Sequence, residues 1–410
     1  MKLLTFLGVG RYDETEYNWN GQSVLGRFAP MASSKFSNAD QVIVFATQEA
    51  ELAHGQAFRS ALNLPVHFVP VPKGENEDEL WQVFSKVAEN VVPGEEVAFD
   101  VTHGLRSFPL VGILAAAFLR TGLRVSLKAV YYGAFDVRDQ SVSPNRTPMF
   151  DLTPMLTLLE WAIASDRFSR TGDGRYFASL LREQQKKLAL KSRKKSDQLT
   201  QVGNIGKLAS ALTDISQSLS LIRPQLAMRQ IERLPTQVQA ALPMLAQASA
   251  TLPFQMMLNA TLQSFEQLSL SDPSSDLRQD LLTQRAMIRW YADHEHWMQA
   301  VSLAREWLVS WVMLQFGLTS LTVLADRHRI EGVVNSEAEE FVKIKQQHMT
   351  YQPVFLKTLP QVETVLGLWK SLTNTRNDID HAAMRENPQE PDTLVKQIQG
   401  YIRALEDLPL

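Results

Sequence analysis

The feature that most constrains the fold is a change of hydrophobic period near residue 150. Before it, short apolar runs rich in β-branched residues alternate with stretches of helical spacing. Strands are expected at residues 2–8, 41–47, 66–71, 96–102 and 125–135, with helices at 48–62, 77–91 and 109–120 between them. Alternation with continuous apolar strands implies a parallel sheet covered by helices on both faces. A short hairpin is expected near Pro148. From Thr153 onward the period is helical almost to the end. Helices are expected at 155–168, 205–226, 231–250, 290–316, 337–347, 362–372 and 392–405, and the stretch 269–275 reads as an internal linker. The expected fold is therefore α/β plus all-α, with units at 1–152, 153–285 and 286–410.

Composition narrows the function classes. The chain of 410 residues has a formal net charge of -3 and no cysteine. A nucleic-acid coat protein would be strongly basic, so any nucleic-acid contact is expected to be local. The lack of cysteine excludes disulfides, thiolate metal sites and a cysteine nucleophile, and fits a reducing cytoplasm. The opening apolar run is too short for a signal peptide. The nearly apolar stretch 307–325 is interrupted by polar residues, as in a buried bundle helix and unlike a membrane span. The expected location is cytoplasmic, without membrane contact.

The most informative N-terminal stretch is 97–110, VAFDVTHGLRSFPL. A buried strand ends there, a loop follows, and a helix begins with Ser107 at its N-cap. In parallel sheets, ligands gather at the carboxyl ends of strands, where helix N-termini suit phosphate. Gly104 permits close backbone approach, His103 and Arg106 add donors, and Arg106 adds charge. The alternative is an ordinary strand-to-helix turn. A second glycine-bearing loop, Gly8-Val9-Gly10-Arg11-Tyr12, follows the first strand at the same sheet edge. The dinucleotide fingerprint is incomplete because position 13 is Asp, which argues against nicotinamide binding.

Asp100-Val101-Thr102-His103-Gly104 resembles the DxTHG signature of CRISPR-associated proteins with a CARF domain. The opening strand followed by Gly-Arg-Tyr, with Thr15 and Tyr17 after it, is similar to that family's N-terminus. The resemblance covers roughly the first third of the chain. It implies a Rossmann-like domain that pairs as a dimer and binds cyclic oligoadenylate across the two-fold axis. By position, Thr102, His103, Gly104 and Arg106 would line the phosphates, and Gly10 and Arg11 would form the facing loop. Asp100 would be a structural hydrogen-bond acceptor at the strand end.

A second constellation lies near the C-terminus: Thr375-Arg376-Asn377-Asp378-Ile379-Asp380-His381. An arginine, four intervening residues and a histidine resemble the HEPN ribonuclease motif. The apolar stretch 297–312 is similar to that family's first long helix. The residue types suit metal-independent RNA cleavage by the 2′-hydroxyl, leaving a cyclic phosphate. Histidine moves a proton near neutral pH, arginine stabilises charge on phosphorus, and Asn377 orients the phosphate. DNA lacks that hydroxyl. On one helix, five residues amount to about 500° of rotation, which sets Arg376 and His381 on different faces. Either the helix begins inside the motif, capped by Asn377 or Asp378, or two subunits share the site, as the resemblance implies. The alternative is a surface ion pair between Arg376 and Asp380.

Other features carry less. His294 and His296 point roughly 200° apart on a helix and would not share a metal. Arg305-Glu306 reads as an ion pair, and the tryptophans at 290, 297, 307 and 311 as helix core. The basic run 186–195 reads as a solvated face or connector. The chain is thus expected to be a CARF–HEPN effector of type III CRISPR defence. Its activator would be cyclic oligoadenylate, its substrate single-stranded RNA, and its working form a homodimer or higher oligomer, with no cofactor and no metal. The rival readings are a non-catalytic nucleotide-responsive regulator binding protein or DNA, and an N-terminal domain that also degrades its activator.

Overall fold

The computed structural model describes residues 1–191, 196–246, 251–384 and 387–410. They form two compact units, Met1–Leu159 and Glu160–Leu410. Of the basic run, Arg193, Lys194 and Lys195 lie outside the described residues.

The first unit has strands β1 (Lys2–Leu7), β2 (Thr15–Trp19), β3 (Gln22–Gly26), β4 (Gln41–Ala46), β5 (Val66–Pro70), β6 (Glu96–Asp100), β7 (Ser126–Gly133) and β8 (Arg146–Asp151). Its helices are α1 (Ala29–Ser37), α2 (Gln48–Ala61), α3 (Glu77–Glu89) and α4 (Phe108–Gly122). The strands join in the order β3-β2-β8-β7-β6-β1-β4-β5. The five from β7 to β5 are mutually parallel, as the continuous apolar runs predict. The sheet as a whole is mixed, which corrects the all-parallel expectation: β8 runs antiparallel to β7, and β3 antiparallel to β2. Both faces are covered. Leu4, Phe6, Phe45 and Phe99 pack with α3 and α4 residues, including Val83, Val87 and Ala115. Leu3, Leu7, Val42 and Val44 pack on the opposite face with Phe28, Ala32 and Phe58 from α1 and α2. Helix starts follow local chemistry. The Thr47 side chain caps α2, and Asn76 caps α3 while Glu79 accepts from the Gly74 and Glu75 N–H groups.

The hairpin β2–β3 and helix α1 were not anticipated. The hairpin turns on Asn20-Gly21, both at positive φ (48° and 78°), the conformation a tight two-residue turn requires.

The parallel strands fix where a ligand can sit. From β1 the chain runs out to β2 and β3 at the far edge of the sheet and comes back through α1 to β4; it later returns on the other side of β1 with β6. The connections on the two sides diverge there, opening a crevice at the carboxyl ends of β1 and β6.

The second unit is helical. α5 (Thr153–Thr171) begins in the first unit, and the expected boundary at 152/153 falls at its start. Then come α6 (Arg175–Lys191), α7 (Ser196–Ser220), α8 (Pro224–Ala246), α9 (Thr251–Phe265) and α10 (Leu277–Asp293). The last four are α11 (Trp297–Gln315), α12 (Leu324–Gln346), α13 (Val362–Asp380) and α14 (Pro391–Glu406). The expected boundary at 285/286 falls inside α10, and one hydrophobic cluster runs from Trp161 to Leu408. The helix expected over 290–316 is broken at His294–His296, where Glu295 takes a positive φ of 61°. The indoles of Trp307 and Trp311 are sealed in the core, and their N–H groups donate to the carbonyls of Leu281 and Pro409, both at 2.8 Å. Of the apolar stretch 307–325, the part from Trp307 to Met313 is core, while α11 ends at Gln315 and Phe316, Val323 and Leu324 beyond it are exposed. Among the described residues no helix is long and apolar enough to cross a membrane.

Phe99 is fully buried at the centre of the sheet, packed among side chains of α3 and α4. Phe99→Ala is expected to destabilise the first unit by about 3–5 kcal/mol, because the cavity cannot collapse between sheet and helices. A urea titration followed by circular dichroism measures this.

Candidate functional site

Two loops meet in the crevice of the first unit. Gly8, at the end of β1, lies against the backbone of Gly104, in the loop after β6. A Cβ added at Gly8 would sit 3.3 Å from the Gly104 backbone. Gly104 has φ of +111°, and a Cβ there would come within 3.0 Å of the Phe6 side chain. Both positions therefore need glycine for packing. Tyr12 closes the first loop on itself: its hydroxyl accepts from the Gly8 N–H at 2.9 Å and donates to the Gly8 carbonyl at 3.0 Å.

Beside these loops is a cleft of about 220 Å³. Of the residues expected to hold a ligand, Arg11, Thr102 and His103 line it. Tyr12, Arg27 and Phe135 line it too, and sequence reasoning did not single them out as site residues. The remaining three expected residues are placed differently. Gly10 and Arg106 are exposed, and a Cβ at Gly10 would meet nothing within 4 Å. Gly104 is occupied in packing against Phe6 and Phe108. Arg11 is exposed and pairs with Asp13 at 2.9 Å.

Buried polar groups hold the crevice in shape. Asp100 is fully buried, as the strand-end acceptor expected. It accepts from Ser33 Oγ at 2.6 Å and from the Thr102 N–H at 3.0 Å, and burial raises its pKa. Thr102 Oγ1 accepts from the Gly133 N–H at 2.7 Å, tying the loop to the end of β7. His103 Nε2 accepts from the Ala29 N–H, the first of α1, at 2.9 Å. That bond requires an unprotonated Nε2, so the ring is neutral with its proton on Nδ1. Burial pushes its pKa down to about 3. The ring also lies edge-on to Tyr12, with centroids 4.6 Å apart. His103 can thus offer a ligand one N–H donor and no charge. Ser107 occupies the N-cap position of α4, but its side chain makes no capping hydrogen bond.

The C-terminal constellation lies on the surface at the end of α13. The helix does not begin inside the motif; it runs through to Asp380 and stops at His381, which corrects one of the two expected geometries. The reason is packing: Leu368, Trp369, Leu372, Thr375 and Asp378 are buried in sequence along α13, which keeps the helix intact. It ends where Ala382 and Ala383 adopt positive φ and the Ala383 N–H bonds back to the Asp378 carbonyl at 3.1 Å. Arg376 Nε donates to Asp380 Oδ2 at 3.0 Å, the i,i+4 pair named as the alternative. Asn377 and His381 are exposed. With the helix continuous, Arg376 and His381 diverge by about 140°.

The remaining candidates are structural. His294 and His296 both stack on Trp290, and each bonds a separate carbonyl: Trp290 at 2.7 Å and Thr171 at 3.0 Å. Among the described residues no cluster of three His, Asp or Glu is placed to hold a metal. Arg305 is nearly buried, pairs with Glu306 and Glu331, and lies over the Trp369 ring at 4.5 Å.

The fold and its crevice define a doubly wound α/β unit with a ligand-sized cleft, followed by a helical unit. A family model matches the start of the second of these. Residues 157–270 match the family model described as CRISPR-associated protein MJ1674, second domain. A protein of Methanocaldococcus jannaschii described as CRISPR-associated protein MJ1674 is 32% identical over 124 residues, 30% of this chain. The chain covers about a fifth of that relative's length, 19%. The similarity is thus to a CRISPR-associated protein. The family-model match includes neither the 100–106 loop nor the 376–381 motif.

The burial of His103 makes stability depend on pH. The unfolded histidine titrates near 6.5 and the folded one near 3, so the unfolded chain binds the extra proton between these values. Stability from this group is complete above pH 6.5 and falls by up to about 1.4 kcal/mol per pH unit below it. His103→Gln, whose amide oxygen can accept the same N–H, is expected to lose less stability between pH 7 and pH 5 than the wild type. Equal losses by urea titration at the two pH values would show that the imidazole accepts a proton in place.

Proposed function

We propose that the chain is an endoribonuclease of type III CRISPR defence, switched on by cyclic oligoadenylate. In this reading the first unit is a CARF domain and the end of the second a HEPN ribonuclease. The observation that carries the reading is the junction of the Gly8 and Gly104 loops at the crevice between β1 and β6, beside a cleft bearing Arg11, Arg27, Thr102 and His103. The crevice is where doubly wound sheets hold phosphate-bearing ligands. The similarity of the middle segment to a CRISPR-associated protein supports the setting.

The ring's phosphates would meet the two arginines, the Thr102 hydroxyl and the Nδ1–H of His103. Two copies would pair through the first unit. Helix α4 offers an apolar stripe for this, Leu110, Leu114 and Phe118, each about half or more exposed at four-residue spacing. A two-fold ring fits a two-fold interface. Pairing also answers the geometry of the C-terminal motif, since the 140° divergence leaves Arg376 and His381 of one copy apart. Arg376 of one copy and His381 of the other would share a phosphate. His381 would move the 2′-hydroxyl proton, Arg376 would offset charge on the phosphorane, and Asn377 would orient the scissile group. The activator would act by favouring the arrangement in which the motifs face each other. The chemistry calls on no metal.

The Arg376–Asp380 ion pair favours a second reading, in which the helical unit is a non-catalytic binding module and the chain a nucleotide-responsive regulator. Purified protein is expected to degrade single-stranded RNA only when a cyclic oligoadenylate of four or six units is added. His381→Ala is expected to reduce that rate by at least about 100-fold, the usual scale of a lost general acid or base. Full activity in His381→Ala protein overturns the catalytic assignment, and specific retardation of duplex DNA without RNA cleavage favours the regulator.

A further inference from the structure

The cleft of the first unit is too small for a whole ligand and too evenly charged to be a phosphate site alone. Its volume of about 220 Å³ is below the roughly 300–1,000 Å³ of sites that enclose a drug-sized molecule, so it takes one part of a larger one. Its two sides differ in chemistry. The loops after β1 and β6 bring Arg11, Thr102 and His103, while the end of β7 and the residues after it bring Tyr132, Phe135 and Asp136. The lining charges cancel, Arg11 and Arg27 against Asp13 and Asp136. Asp13 is paired with Arg11, whereas the exposed Asp136 carboxylate has no ion-pair or hydrogen-bond partner among the described residues. Such a carboxylate repels a phosphate and suits an N–H donor.

Phe135 is a ring that the core does not use. It is half-buried, yet it belongs to neither apolar cluster of the first unit. Arg138 holds it instead: its guanidinium lies over the ring at 4.0 Å, and its Nη1 donates to the Phe135 carbonyl at 3.0 Å. Arg138 Nε is buried there without an acceptor among the described residues, an arrangement that costs stability. A ring braced in the wall of a cleft has already lost the conformational freedom that binding would otherwise cost. A stacking ring beside a free carboxylate matches a planar base that carries an amine, since bases stack on aromatic side chains and their exocyclic amines donate to carboxylates.

We propose that the β7 side of the cleft is a base-reading subsite, in which Phe135 stacks on an adenine of the activator and the Asp136 carboxylate accepts from its exocyclic amine. The choice of adenine rests on the cyclic-oligoadenylate reading; the ring and the carboxylate by themselves call for an amine-bearing base. Phosphates are left to the opposite side, where Thr102 and His103 supply neutral donors and Arg11 a cation.

The test is calorimetric titration of the full chain with cyclic tetra- and hexa-adenylate, and with matching rings of purine riboside, which lacks the amine. Phe135→Ala is expected to weaken binding of the adenylate ring roughly 5- to 150-fold, the equivalent of about 1–3 kcal/mol of stacking, and Phe135→Trp to restore it. The wild type should prefer the adenylate ring to the amine-free ring by at least about tenfold, the scale of one hydrogen bond to a charged group. Asp136→Ala should abolish that preference without weakening the amine-free ring, a result that loss of structure would not produce. Unchanged affinity in Phe135→Ala, or the same preference in Asp136→Ala as in the wild type, overturns the proposal and leaves the activator reading standing. If the wild type binds no adenylate ring, adenosine monophosphate is titrated by saturation-transfer NMR. Its binding through Phe135 then keeps the subsite and loses the activator reading, and its failure to bind overturns both.

Discussion

A contact between two glycine backbones organises the N-terminal unit. β1 and β6 end side by side; the loop after β1 runs on to β2 and the loop after β6 to α4, and Gly8 and Gly104 bring the two loops together. A Cβ at Gly8 would press on the Gly104 backbone at 3.3 Å and one at Gly104 on the Phe6 Cβ at 3.0 Å, and Gly104 also has a positive φ. The closeness sets Thr102 and His103 next to the loop of Arg11 and Tyr12, and so creates the cleft. Without it the two loops would be separate surface turns.

Polar groups under the cleft make it rigid without making it strongly cationic. Asp100, Thr102 and His103 spend their hydrogen bonds on Ser33, Gly133 and Ala29, binding the loop to α1 and to β7. The cost is that His103 is held neutral, because burial disfavours the charged ring and its Nε2 accepts from the Ala29 N–H. Positive charge in the cleft therefore falls to Arg11 and Arg27, which share its lining with Asp13 and Asp136. Arg27 is oriented by donating to the Tyr12 carbonyl at 2.9 Å, and Arg11 is paired with Asp13.

The helical unit makes a different use of a buried carboxylate. Glu337 fixes a loop so that an aromatic ring points outward, whereas Asp100 fixes a loop so that a cleft stays open. At the other end of α13, packing keeps the helix regular through Asp378, and regularity is what separates Arg376 from His381. The same apolar face that stabilises the bundle thus prevents the motif from closing within one copy.

Much of the architecture was legible in the chain because local rules and tertiary packing agree. The five parallel strands and the helices between them carry continuous apolar runs and caps such as Thr47 and Asn76, whose physics is local. The Asn20-Gly21 pair is a hairpin signal of the same local kind, with both residues at positive φ. The DxTHG loop and its partner near Gly10 could be singled out because both follow parallel strands at their carboxyl ends, where ligands gather. What the residues alone determined, then, is the order of elements and which residues carry chemistry. Tertiary structure alone decided that His103 is neutral, that Gly104 serves packing against Phe6, and that Phe355 stands in water. Each of these depends on partners far away in sequence, which no local pattern encodes.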